Sequence, residues 1–256
     1  MENSSISPPS PAWPTRWSPE AFPPWRLPAF LGYVVGALLV GAALAAVAFL
    51  IVSPSHSPEA LRSSPILAIL LNGLLELPLA ATLVPALRWT ANVPLREIGF
   101  APPGARAIVI ALLGVAAAIA AANAGSAIVT AVTHQAPHDQ TTVTMFLAIK
   151  SPAQILAFGF FAAVFAPIVE ELMFRLVLFN AGLRYFGFAV AATGSSLLFG
   201  LAHGDPINAL PLAMVGFVLC TVYYLSRNAW ASMITHGCFN LATLVALHYF
   251  PQMANP

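Results

Sequence analysis

Glu170 and Glu171 stand side by side in Val169-Glu-Glu-Leu-Met-Phe-Arg175, inside an apolar run from about Ile155 to Leu183. Only 7% of the 256 residues are charged, so two carboxylates and a guanidinium within one and a half helical turns are conspicuous. An ionisable side chain at bilayer depth costs about 2.5–3.5 kcal/mol on insertion scales, and function is the usual reason to keep one there. Two further polar clusters lie downstream, Phe199-Gly-Leu-Ala-His203 and His236-Gly-Cys-Phe-Asn240.

Helix geometry sorts these residues. Glu171 and Arg175 are four apart with the acid first, the favourable order for an ion pair on one face. Glu170 lies about 100° further round the helix and is left for other work. His236 and Asn240 are also four apart and can aim at one point, while Phe199 can shield or orient His203. Two histidines, a carboxylate and an amide are parts for activating water. In a dry pocket Glu170 is suited to general-base work near neutral pH, with His203 sharing the water's proton. His236 and Asn240 would donate to the oxyanion of a tetrahedral intermediate, each contributing about 3 kcal/mol. The same atoms suit a catalytic zinc, since one Glu and two His are a known ligand set. The competing structural readings are a buried ion pair that pins two helices, and histidines that only bridge helices.

These residues need elements to hold them, and the composition points to membrane helices. The chain is 59% hydrophobic with mean hydropathy +0.83, the signature of a polytopic helical membrane protein. A net charge of +1 leaves no basic face for nucleic acid. Cys220 and Cys238 lie in apolar runs without C-x-x-C spacing and read as small core residues.

Residues 1–28 form a proline-rich tail, with Trp25 and Arg26 suited to the membrane interface. Spans are expected at about 29–52, 65–87, 107–132, 153–183, 188–203, 207–225 and 229–249. Gly32 and Gly36 are a small-xxx-small pair in the first span. The second carries Glu76 just before Pro78, an intramembrane acid read chiefly as a helix–helix hydrogen bond. The 133–152 loop carries His134, His138 and Asp139, read as a solvated loop rather than a metal site. The expectation is an all-α transmembrane bundle of about seven to eight spans, one membrane domain over 29–249 and a short tail over 250–256. Its catalytic core would be about 153–249, with the last four helices enclosing a polar cavity. With seven spans and the N-terminus inside, Arg16, Arg26, Arg88, Arg96, Arg106, Arg184 and Arg227 are cytoplasmic, and only Arg62 and Lys150 fall outside.

Taken as a set, Glu-Glu-x-x-x-Arg, Phe-x-x-x-His and His-x-x-x-Asn on successive apolar segments resemble the CAAX protease and bacteriocin-processing (CPBP) intramembrane endopeptidases. The resemblance covers about Ala153 to Tyr249. It implies that Glu170 is the water-activating glutamate and His203 its partner, that His236 and Asn240 are the oxyanion pair, and that Glu171 and Arg175 complete the first motif. Asp205, two residues past His203, is read as capping a turn more than tuning the histidine. The implied activity is hydrolysis of a peptide bond in a membrane-tethered substrate, of which a prenylated C-terminus is the family's best-understood form. No cofactor is expected; a zinc on Glu170, His203 and His236 is the metal-dependent alternative. Rival readings are a transporter or proton relay using Glu76, Glu170 and the histidines, and a non-enzymatic immunity-type binding protein of the same fold.

Overall fold

The computed structural model of the protein describes residues 26–52, 64–90, 94–135, 137 and 141–250. Expectations for the tail through Trp25, the 53–63 loop, His138, Asp139 and residues 251–256 lie outside the described residues.

The elements in order are α1 (Leu27–Val52), α2 (Pro65–Thr90), a 3-10 turn (Leu95–Ile98), α3 (Ala105–Thr133) and the short α4 (Thr141–Ala148). Next comes a long helical run: α5 (Pro152–Phe160), a π-helical segment (Phe161–Phe165), α6 (Ala166–Glu171), a second π-helical segment (Leu172–Phe179) and α7 (Asn180–Ala202). The chain ends with α8 (Ala209–Ser226) and α9 (Ala229–Tyr249). No strand occurs among the described residues. In hydrocarbon every backbone polar group must be satisfied within its segment, which the helix does and an open sheet edge does not. The outward faces are apolar, with Leu39, Ile51, Leu113 and Leu156 all exposed. Such surfaces suit lipid, and the chain is a multi-pass membrane protein.

Six helical runs are long and apolar enough to cross a membrane, against the seven to eight expected. The difference lies at Gly187. The run Pro152–Ala202 is 51 residues long, about 77 Å at 1.5 Å per residue and more than twice a bilayer core. Gly187 breaks it with φ 72 and ψ 179, a left-handed backbone that a residue without Cβ adopts at least cost. The chain reverses there. The Ser195 hydroxyl donates to the Phe174 carbonyl at 3.0 Å, and the Phe179 ring meets that of Phe188 edge-on at 5.9 Å. The two expected spans, 153–183 and 188–203, are therefore the arms of one helical hairpin.

The main core joins Leu79, Leu83 and Leu87 of α2 to Val169, Leu172 and Leu176 of the long run, and to Tyr223 of α8 and Met233 of α9. The Tyr223 hydroxyl donates to the Ile98 carbonyl at 2.6 Å and accepts from the Asn180 amide at 2.7 Å. This fastens the α2–α3 connection to the C-terminal helices. Cys220 is buried, Cys238 partly so, and both are free thiols.

Candidate active site

The two glutamates sit on α6, one and a half turns of α-helix held between two π-helical segments. A π turn inserts a residue into the helical ladder, resets the register of the turns beyond it, and often marks a functional position. Here it frees a carbonyl for a partner outside the run: the Asn240 side-chain amide donates to the Ala162 carbonyl at 2.8 Å. Helix α9 packs closely on this segment, because a Cβ on Gly237 would collide with the Ala163 carbonyl oxygen. Gly237→Ala is accordingly expected to push α9 away from the long run. Overpacking of this kind costs about 1–3 kcal/mol, to be seen as a lower unfolding temperature in detergent.

The expected ion pair is present and fully buried. Arg175 Nη1 lies 3.1 Å from Glu171 Oε1, with both side chains at 0% exposure. The guanidinium also donates to the Gly216 carbonyl at 3.3 Å and lies over the Phe199 ring, 4.6 Å from its centre. Each contact offsets part of the cost of a charge taken out of water.

Glu171 holds more than arginine. The Nδ1 of His236 hydrogen-bonds Glu171 Oε1 at 3.0 Å. An ionised carboxylate only accepts, so Nδ1 carries the hydrogen and donates it. The other ring nitrogen, Nε2, then faces Glu170, 3.8 Å from its Oε2. Arg175, Glu171, His236 and Glu170 thus form one chain of contacts from the packed interior to a carboxylate that is 23% exposed. The carboxylate–imidazole link joins residues 65 apart in sequence, and helix spacing gives no sign of it.

His203 obeys a different logic. Its ring packs edge-on against Phe199 at 4.9 Å, and Phe199 contacts the His236 ring at 5.6 Å on the same terms. His203 Nδ1 is 2.9 Å from the Phe199 carbonyl oxygen. Since a carbonyl cannot donate, the hydrogen is on Nδ1, leaving Nε2 of the neutral ring as an acceptor. His203 itself is exposed. Asp205 caps the turn behind it: Oδ1 accepts from the backbone N–H groups of Ile207 at 3.1 Å and Asn208 at 3.3 Å.

The expected residues thus divide. Glu170, Glu171, Arg175, His236 and Phe199 form one contiguous cluster, with His203 at its Phe199 side. His236 and Asn240 have different partners, a carboxylate pair and a backbone carbonyl. Among the described residues no group of three or more His, Cys, Asp or Glu side chains is gathered to hold a metal ion.

Comparison with known proteins bears on the same segment. Residues 152–242 match the family model described as Type II CAAX prenyl endopeptidase Rce1-like. All seven motif residues fall inside it. The chain is similar to YdiL of Bacillus subtilis (strain 168), a candidate membrane peptidase by name, with 27% identity over 84 residues, 33% of this chain and 34% of that protein. It is also similar to MroQ of Staphylococcus aureus (strain USA300), a membrane-embedded CAAX protease, with 36% identity over 90 residues, 32% of this chain and 36% of that protein. The chain spans about a third of the length of the curated relatives it matches. No solved structure matches it.

Proposed function

We propose that this membrane protein, which through its C-terminal segment belongs to the CPBP family, is an intramembrane endopeptidase that hydrolyses a peptide bond with a water activated by Glu170. The observation that carries this reading is the Arg175–Glu171–His236–Glu170 chain, which fixes an imidazole at one nitrogen and turns the other to a partly exposed carboxylate. A buried ion pair needs no such extension.

In this mechanism Glu170 takes a proton from a water whose oxygen attacks the scissile carbonyl carbon. The Nε2 acceptor of His203 orients that water. His236, when protonated, has a hydrogen on Nε2 as well as on Nδ1 and donates the former to the developing oxyanion. Asn240 spends one amide hydrogen on Ala162 and has a second for the same oxyanion. The proton on Glu170 then passes to the leaving nitrogen, so the glutamate and the charge balance are restored. The polar cavity this requires lies among the last four helices, and the substrate is a membrane-tethered peptide. A lipid anchor would hold its scissile bond near a buried site.

The N-terminus is assigned to the cytoplasmic side. Its support is that the arginine-bearing connections meet at one end of the bundle, where Arg106 donates to the Leu225 carbonyl at 3.3 Å and the Ala229 amide to the Gly99 carbonyl at 2.7 Å.

The test is cleavage of C-terminal peptides, prenylated and plain, by the full chain reconstituted in liposomes, with products identified by mass spectrometry. Defined new termini are expected, with lipidated peptides cut at lower concentration. A chain that binds these peptides in the membrane and cuts none of them would overturn the reading.

A further inference from the structure

Glu76 lies outside the segment shared with the protease family and outside the three motifs, yet the fold carries it to the same place. One turn beyond it on α2, Leu79 and then Leu83 pack in a core shared with Val169 and Leu172, the residues that bracket the glutamate pair. That packing turns the Glu76 face of α2 toward α6. Helices α2 and α6 are in direct contact. The Oε2 atoms of both glutamates are buried and have no hydrogen-bond partner among the described residues. Among the described residues, His236 on α9 lies 3.8 Å from Glu170, and Glu171 and Arg175 on its own helix bond each other. Neither supplies Glu76 with a partner.

Two carboxylates facing each other in a low-dielectric interior repel if both are ionised, and polar groups left unpaired there are costly. One proton between them removes both penalties, since a protonated carboxyl is a donor and its ionised neighbour an acceptor. We propose that Glu76 is a positioning residue that holds this proton and donates it, as a hydrogen bond, to the Glu170 carboxylate. The pair then carries one negative charge instead of two. Glu170 keeps an oxygen free to take the proton of water, and the hydrogen bond fixes the direction of that oxygen. The role rests on the hydrolytic reading of Glu170.

Three variants separate this from a structural contact. Gln keeps the size of Glu76 and a donor but cannot ionise, whereas Leu keeps neither donor nor acceptor. For the reconstituted full chain, Glu76→Gln is expected to retain kcat within about threefold, and Glu76→Leu to lower kcat about ten- to a hundredfold with KM within twofold. Glu76→Asp, one methylene short of its partner, falls between. Equal and wild-type kcat in Glu76→Gln and Glu76→Leu would overturn the proposal. So would equal losses in the two, which would mean that an ionised Glu76 is needed. Infrared spectroscopy gives a readout independent of cleavage. The carbonyl stretch of a protonated carboxyl is expected in wild type near neutral pH and absent in Glu76→Gln. If that band is present while no peptide is cut, the hydrolytic reading fails and the shared proton stands. If peptides are cut and the band is missing, the shared proton fails alone.

Discussion

Glu170→Gln is expected to lower kcat for peptide cleavage by about 10²–10⁴-fold, the usual contribution of a general base, while the protein stays folded. Gln matches the glutamate in shape but cannot accept a proton at neutral pH. The substitution should be mild for the fold because the side chain is 23% exposed and the Gln side-chain oxygen can still accept a hydrogen bond. An unfolding temperature near that of wild type, together with the kinetic loss, separates chemistry from folding. A uniform fall in substrate binding with kcat unchanged would instead make Glu170 a binding residue.

Arg175→Met carries the largest expected effect on stability. It removes a guanidinium at 0% exposure and leaves the equally buried Glu171 without its cation. Breaking a buried pair by removing one partner costs about 3–5 kcal/mol, far more than replacing both partners by apolar groups. The sharper result is the double variant Arg175→Met with Glu171→Leu. It should regain much of the lost thermal stability in detergent, since no unpaired charge remains. Activity should stay lost, because His236 no longer has the carboxylate that its Nδ1 donates to. Recovery of cleavage in the double variant would show that the imidazole needs no such anchor.

Much of this site was legible in the sequence because charge is so scarce. The Glu171–Arg175 pair is implied by a separation of four, and it forms as expected. The Phe199–His203 contact comes from the same spacing. The illegible part depends on where the helices sit relative to each other. His236 and Asn240 share a helical face, but the π segment at Phe161–Phe165 offers a carbonyl to Asn240 and the ion pair offers a carboxylate to His236. A π segment leaves no mark on a run in which nearly every residue is apolar, because its signature is a shift in register and there is no polar face to shift. The expected boundary between the spans 153–183 and 188–203 falls at the break that the structure has at Gly187, although the arms adjoin so closely that they form one apolar run of 51 residues. Glu76 was visible as an acid in a span, and only the packing of Leu79 and Leu83 in a core with Val169 and Leu172 links its helix face to the glutamate pair.

The central claim is that water, positioned by Glu170, is the nucleophile. Its most direct test is a single turnover of a lipidated peptide by the reconstituted chain in heavy-oxygen water, with product and protein both weighed by mass spectrometry. The expected result is one heavy oxygen in the new C-terminal carboxylate, an unmodified protein at every time point, and no product from Glu170→Gln. An acylated protein that appears before the labelled product would contradict it, since a side chain and not water would then have attacked the peptide bond.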